Sequence, residues 1–452
     1  MKQPEINLID KYNVAAPRYT SYPTVPFWDS DAFSTVAWIN CLKATYSSAK
    51  EDGISLYIHL PFCESLCTYC GCNTRITKNH AVEIPYINYV LKEWEIYKVA
   101  IDEDIIINEI HLGGGTPTFF EATNLQRLIL GLLDGVAVKD GASFSFEAHP
   151  ANTTKEHLQT LYELGFRRLS LGIQDFDPHV QHLINRQQTV DDVQRVMDEA
   201  REIGYTSINF DLIYGLPLQT QTTVRDTIEK ALAMSPERIS FYSYAHVPWI
   251  KGGQRRFTEH DLPVGQEKLA LYILGKQMIE EKGYKDVGMD HFALPEDELF
   301  KAALSGKLHR NFMGYADRYT PVLIGLGVSS ISDAWSGFAQ NVKKVEDYYK
   351  ILDEGCLPVM KGHLLHEEDK ILRRYILGMM CQGRTEMKVG FYLNDAIVER
   401  LRPLEADGLV ECGRDYIVAT KIGKSFLRNI CMTFDQRLQS SKEQERLFSQ
   451  AI

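Results

Sequence analysis

"YIHLPFCESLCTYCGCN", residues 57–73, places four thiols, at Cys63, Cys67, Cys70 and Cys72, within ten positions, directly after an apolar run of strand length. The N-terminus, "MKQPEINLIDKYN", lacks the basic-then-apolar layout of a signal peptide, and no stretch reaches the roughly 18 uninterrupted apolar residues of a membrane helix. The expectation is a soluble, cytoplasmic protein with no membrane span. Thiols stay reduced in that compartment, so a cluster of them points to metal or redox chemistry rather than to disulfide staples. Cys63, Cys67 and Cys70 follow C-x3-C-x2-C, and thiolates are soft ligands that suit iron–sulfur clusters and zinc. A structural zinc site takes four ligands, commonly as two short pairs set well apart. Here three come close together, and no second Cys or His pair follows within tens of residues. Three ligands on a four-iron cube would leave one iron open.

Outward from this loop, strand-length apolar runs alternate with segments of helical period from about residue 54 to residue 333. The runs cover 54–60, 108–114, 143–149, 168–176, 207–215, 238–247, 284–289 and 321–331. In "TKEHLQTLYELGF", Leu158, Leu161 and Leu164 recur at three-residue steps, and a Gly near the end marks a helix stop. Strands separated by helices imply βαβ units and a parallel sheet, and so many in succession favour a curled, barrel-like one. Ligands then sit beyond the C-terminal strand ends. Those ends read "HLPFC", "GGGTP", "EAHP", "GIQDF", "DLIYGLP" and "YAHVP", richer in Gly, Pro and polar residues than plain turns require.

The chain has 452 residues, 44% of them hydrophobic, which is long for one core and suggests a large catalytic domain plus a smaller one. Net charge is −11, from 60 acidic against 49 basic residues, so nucleic acid is not an expected partner. A local basic pocket for an anionic small molecule is still allowed. We divide the chain into an N-terminal arm (1–50) covering the barrel mouth, a barrel domain (51–335), a helical connection (336–364) and a tail domain (365–452). In the tail, helix, helix, a short hairpin and one long closing helix, "KIGKSFLRNICMTFDQRLQ", suggest a winged-helix-like α+β module acting as lid or packing domain.

C-x3-C-x2-C after a first strand, with Tyr69 before the third Cys, resembles the signature of radical S-adenosylmethionine enzymes. "PRYTSYPT" (17–24), C-G-C-N, "HLGGGTPT", "GIQDF", "NFDLIYGLP", "YAHVP", "GMDHFA", "LHRNF" and "RNICMTFD" narrow the resemblance to the oxygen-independent coproporphyrinogen III oxidases, from about residue 8 to residue 450. The resemblance implies an α/β fold built on a partial (β/α)6-type radical SAM barrel, a [4Fe–4S] cluster on Cys63, Cys67 and Cys70, and two molecules of S-adenosylmethionine. It implies oxidative decarboxylation of two propionates of coproporphyrinogen III to vinyl groups, giving protoporphyrinogen IX by way of a 5′-deoxyadenosyl radical. A monomer drawing electrons from a flavodoxin or ferredoxin system is the expected state.

By the same resemblance, Cys72 is a required cysteine outside the cluster. Gly114 contacts the first S-adenosylmethionine; Gly115 and Thr116 contact the second. Glu147 would accept hydrogen bonds from a ribose diol, as a carboxylate can. Gln174, Arg186 and Asp211 match residues around the second molecule, the last two offering opposite charges to a carboxylate and to an ammonium or sulfonium. Tyr57, Tyr69, Ala245 and Ile331 match further adenosyl contacts, although each apolar one would pass as core without the motif. His59 is a candidate near the reacting centre, or a satisfied structural histidine. Arg18 and Arg310 are candidates for clamping propionates. Three places depart from the family pattern: His149 in "EAHP", Met313 after "HRNF", and 382–386. Two rivals share the radical fold, the haem chaperones, which read C-D-F where this chain has C-G-C, and the haem-degrading radical methyltransferases.

Overall fold

Apolar residues recur at every second position over most of β1 (Ile54–Leu60), β2 (Ile106–Gly114), β3 (Ala137–Ala148), β4 (Phe166–Gln174), β5 (Ser207–Tyr214) and β6 (Arg238–Ser243). The computed structural model describes residues 8, 10–247, 254, 256–387, 395–440 and 448. The apolar face of these strands, from Leu56 and Ile110 to Phe146, Leu171, Phe210 and Phe241, packs outward on the crossover helices. Each large side chain buried there contributes about 1.5–3 kcal/mol. The inner face is polar: Ser55, Glu109, Ser145, Ser170, Asn209 and Ser240 share the barrel interior or its rim.

The helices begin where the sequence supplies caps. Thr154, Thr189 and Thr220 each accept a hydrogen bond from the N–H three residues on, and the side chain at that position accepts one from the cap residue's own N–H. Each such cap is worth about 1 kcal/mol. Gly204 then ends the helix Val190–Ile203 in the left-handed region, φ 116°, as its place after the apolar period predicts.

β7 (Lys285–Gly288), β8 (His291–Ala293), β9 (Val322–Leu326), β10 (Ile331–Asp333), β11 (Gly337–Asn341) and β12 (Val359–Leu364) complete a twelve-stranded sheet. Its order is β12-β11-β10-β9-β1-β2-β3-β4-β5-β6-β8-β7. From β9 to β6 all neighbours are parallel. The two edges are antiparallel and do not pair with each other, so the barrel is partial.

The structure departs from the sequence reading at those edges. The run 284–289 does not add a parallel strand; Met289 at φ 47° turns it into a hairpin with β8. The run 321–331 is two strands, because Gly327 (φ 91°) and Ser329 (φ 59°) reverse the chain. Residues 336–364 are no mere connection: they carry β11 and β12, and β11 is buried along its whole length. The helix Thr35–Ser48, inside the expected arm, packs Trp38, Leu42 and Tyr46 into the barrel core.

In the tail, helices Glu367–Gln382 and Asp395–Ala406 accompany a three-stranded antiparallel sheet, Arg384–Glu386, Val410–Cys412 and Tyr416–Ala419. The expected closing helix is three pieces, Gly423–Phe426, Leu427–Met432 and Gln436–Ser440. Asp435 separates the last two by accepting from Leu438 N at 2.9 Å, starting a new helix. Tyr19 and Tyr22 from the arm are buried in the tail's core with Ile376, Met379 and Ile430. Parts of the expected arm (1–7 and 9), the segment after Val247 that includes the last residue of "YAHVP", and 388–394 and most of 441–452 in the tail lie outside the described residues. Among the described residues no helix is long and apolar enough to cross a membrane.

Candidate active site

The cysteine loop leaves the C-terminal end of β1 and is tied down on every side. Phe62–Cys63 pairs with Arg75–Ile76. The Thr68 hydroxyl donates to Leu183 O at 2.8 Å, Asn185 Nδ2 to Leu66 O at 2.8 Å, and Asn73 Nδ2 to Lys343 O at 2.9 Å. Gln254 donates to Tyr69 O at 3.1 Å and to Ala245 O at 3.2 Å, joining the loop to the segment that follows β6. Held in this way, all four thiols border one cavity of about 580 Å³ at the barrel mouth. Small-molecule sites typically run about 300–1,000 Å³.

The donor set fits an iron–sulfur cluster. Cys63, Cys67 and Cys70 ring that space. Among the described residues no group of three or more His, Cys, Asp or Glu closes on the position of a lone ion. Burial pushes the Cys63 thiol up to about 11, against the Thr116 hydroxyl 3.3 Å away, so it stays protonated until a cation such as iron draws the proton off. Arg186 approaches Cys67 Sγ with Nη1 at 3.8 Å. Cys72 N donates to Cys70 Sγ at 3.4 Å, and the hydrogen bond with Cys70 together with burial pushes the Cys72 thiol well up. The fourth cysteine thus leans on Cys70.

The glycine loop after β2 forms one wall. Gly115 N donates to Leu60 O at 2.8 Å, Thr116 N to Phe62 O at 3.0 Å and Gly114 N to Glu147 Oε2 at 3.2 Å. With these three amide donors used inside the protein and Thr116 O accepting from Phe119 N at 2.8 Å, the loop offers a ligand carbonyl oxygens rather than amides, which suits an ammonium group and not a phosphate. A methyl on Gly115 would stand 2.7 Å from Leu60 O, and one on Gly114 2.5 Å from the His59 ring. Glycine is needed here for close approach. Burial raises the Glu147 carboxyl, but His111, the Gly114 amide and His59 outweigh it and hold it below the usual carboxylate range. His111 Nε2 lies 3.6 Å from Glu147 Oε1, with its Nδ1 2.8 Å from Ser145 Oγ.

The opposite wall comes from β4, β5 and the segment after β4. Gln174, Arg186 and Asp211 all border the cavity. Arg186 donates through Nε to Gln188 at 3.1 Å, through Nη1 to the Tyr69 hydroxyl at 3.4 Å, and through Nη2 to Gly172 O. Gln188 is itself fixed by Ile173 O at 2.6 Å. Burial raises the Asp211 carboxyl to about 6, although Ser170 and Asn209 donate to it at 2.8 and 2.9 Å. At the first departure from the family pattern, His149 accepts from Ala151 N at 3.2 Å through Nδ1, the turn bond an aspartate would make. Burial and Arg186 push its imidazole down to about 3, so it is neutral.

Other candidates stand back from the cavity. Tyr57 and His59 are behind the glycine wall: Tyr57 stacks on His111, ring centres 6.0 Å apart. His59 has Nε2 2.9 Å from Asn73 O and Nδ1 3.1 Å from the Tyr57 hydroxyl. Its ring therefore clamps the end of the cysteine loop to β1. Ile331 packs with Trp28 and Phe338. Arg18 pairs with Asp290 and donates to Ser243 O, both at 3.1 Å, and Arg310 donates to Arg18 O at 3.1 and 3.2 Å. Met313 lines the barrel interior below the cavity. Sequence reasoning passed over Gln188, Gln254, Thr68 and Asn185, whose partners are distant backbone carbonyls or a neighbour's side chain. Only their clustering near motif ends could have marked them.

Residues 57–231 match the Radical SAM superfamily. The chain is 37% identical to the oxygen-independent coproporphyrinogen III oxidase of Synechocystis sp., over 98% of this chain and 97% of that one. It is 37% identical to the protein of that name from Escherichia coli K12, over 99% and 98%. For the Helicobacter pylori protein the figure is 36%, with both chains covered in full. Among solved structures it is similar to coproporphyrinogen III oxidase from Escherichia coli, described as a radical SAM enzyme, with a TM-score of 0.88 at 36% identity over 93% of this chain and 97% of that chain.

Proposed function

The chain belongs to the oxygen-independent coproporphyrinogen III oxidase family, and from that footing we propose how its own residues carry out the conversion of coproporphyrinogen III to protoporphyrinogen IX. It is a radical S-adenosylmethionine enzyme. A [4Fe–4S] cluster with S-adenosylmethionine, when bound, supplies a 5′-deoxyadenosyl radical able to take hydrogen from a propionate β-carbon. Each propionate then gives up CO₂ and one electron to become a vinyl group, so an electron acceptor is part of the reaction.

Cys63, Cys67 and Cys70 hold the cluster. Gly114 receives the ammonium group of the first S-adenosylmethionine, the Glu147 carboxylate, kept ionised by His111, accepts from a ribose diol, and Gly115 and Thr116 contact the second molecule. Gln174, Arg186 and Asp211 receive a second S-adenosylmethionine on the facing wall. That stoichiometry rests on the cavity having two polar walls, each with its own carboxylate. Arg310, whose Nη1 has no hydrogen-bond partner among the described residues, is left to meet a propionate. The arm over 17–24 closes the mouth from the tail side.

One observation carries this reading: three thiols, the Glu147 and Asp211 carboxyls and the Arg186 guanidinium border a single cavity. The test is anaerobic reconstitution with iron and sulfide, then S-adenosylmethionine, reductant and coproporphyrinogen III. Formation of protoporphyrinogen IX with two CO₂ released is expected. Haem binding without turnover would make the chain a chaperone; ring opening of haem would make it a methyltransferase. Equilibrium dialysis with labelled S-adenosylmethionine decides between one and two molecules.

A further inference from the structure

A second cavity, of about 300 Å³, lies between the barrel wall and the tail domain. It is on the other side of the sheet from the cluster. Asp211 and Tyr242 border the cysteine cavity, whereas Tyr214 of β5 and Ser243 of β6, at positions of opposite parity, border this one. The β7–β8 hairpin, the helix Glu298–Leu304 and the segments 380–383 and 424–428 of the tail complete it.

Among the described residues its lining carries four cations against two carboxylates. Arg18, Lys276, Lys424 and Arg428 line it against Asp286 and Asp290. Lys276 is paired with Asp286, and Arg18 with Asp290 at 3.1 Å. Lys268, immediately behind, donates to Tyr244 O at 3.0 Å. The cations depress one another: burial, then Arg18 and Arg428, pull the Lys268 amine down to about 8, and burial, then Arg18, pulls Arg428 to about 10. Arg428 sits in this field at 6% exposure, with the Ala16 and Pro17 carbonyls among its acceptors. Bringing like charges together away from water is costly, and an anion in their midst relieves it. The remaining wall is apolar, formed by Val287, Met289, Phe300 and Leu304.

We propose that this interdomain cavity is a binding site for an amphipathic carboxylate, its anionic head against Arg18, Arg428 and Lys424 and its apolar body against Phe300 and Leu304. Such a head could be a free organic acid or a propionate arm of a tetrapyrrole. The ligand spans barrel, arm and tail, since Arg18 belongs to the arm and Arg428 to the tail, so its binding fastens the three together. The site takes no part in holding the cluster and does not depend on the reading of the cysteine cavity.

The test is isothermal titration of the full-length protein at low ionic strength with octanoate, with coproporphyrin III and with inorganic phosphate, repeated for three variants. R428Q removes a cation that also holds the arm, K424E reverses an exposed one, and A303W fills the cavity without touching a charge. Saturable binding of octanoate, of coproporphyrin III or of both, weakened about tenfold or more in K424E and in A303W, is the expected result, the loss corresponding to one charge-assisted contact. Octanoate binding identifies a free acid as sufficient; coproporphyrin binding alone identifies the tetrapyrrole arm. The proposal falls if neither carboxylate saturates, if binding survives K424E and A303W, or if phosphate binds as tightly as either. R428Q is read only if its thermal transition shows it folded.

Discussion

The floor and the mouth of the barrel are lined by the same strands and are built on opposite principles. At the floor Arg168 meets Glu109 and Asp317, both at 3.4 Å, while Arg238 meets Asp297 at 2.7 Å and Asp317 at 3.6 Å. Each charge is answered by another. Burial raises the Asp317 carboxyl, but Arg168, Arg238 and Arg318 outweigh it and hold it below the usual range. Two to four residues further along, the inward positions become Glu147, Gly172 and Asp211 beside an open space, the two carboxylates leaning on a backbone amide and a small polar side chain. One end of each strand serves stability, the other is reserved for ligands, and the period of two keeps both on the same face.

The hardest test of that division is at the thiols. Alanine at Cys63, Cys67 or Cys70 should take iron from about four atoms per chain towards none, with circular dichroism unchanged. If iron persisted with any one of them removed, the mouth would not be a three-thiolate site. Next in size is the floor. D317N removes the carboxylate that three arginines share, leaving Arg168 with Glu109 and Arg238 with Asp297, and should cost about 3–5 kcal/mol in urea unfolding, the penalty for breaking a buried ion network. Folded D317N should still take up its cluster, and a variant that lost the cluster at unchanged stability would erase the boundary between the two ends.

Smaller again is E147Q. An amide there both loses the charge opposite His111 and presents a donor to Gly114 N, and S-adenosylmethionine affinity should fall about tenfold by dialysis, as for loss of one charge-assisted bond. An unchanged affinity would move the ribose elsewhere. The last test is at Asp211, whose carboxyl burial raises to about 6. The folded chain therefore holds that proton more tightly than the unfolded one, so the contribution to stability is complete below about pH 4 and is lost as pH rises through 6. D211N should be more stable than the parent at pH 8, by up to about 3 kcal/mol, and equal to it at pH 4. A variant less stable at pH 8 would show that the ionised carboxylate is needed structurally.

What could be read without coordinates was local or periodic. The C-x3-C-x2-C spacing, the Gly run at the end of β2 and the Gly165 stop after the helix Lys155–Glu163 are decided by residues a few positions apart, and all lie where the pattern put them. The strand ends were legible because parallel topology directs every C-terminal end to one mouth. The edges were not. The hairpin β7–β8 and the reversal between β9 and β10 turn on left-handed residues at Met289 and Ser329, which no apolar pattern announces.

Side-chain direction was the other blind spot. Arg18 and Arg310 sit in motifs yet spend most of their donors on Asp290, Ser243 O and Arg18 O, with Arg310 Nη1 left over among the described residues, and His59 is taken up at both ring nitrogens. Gln188 and Gln254 sit in no motif that reasoning seized on, yet one fixes Arg186 and the other the cysteine loop. The sequence by itself determined the ligand chemistry and the strand–helix alternation, because spacing along a chain is enough to choose a soft trithiolate site and a parallel sheet. Only the tertiary structure decided which charges answer one another and which face a cavity, because those partners lie tens to hundreds of residues apart and meet only once the sheet has curled.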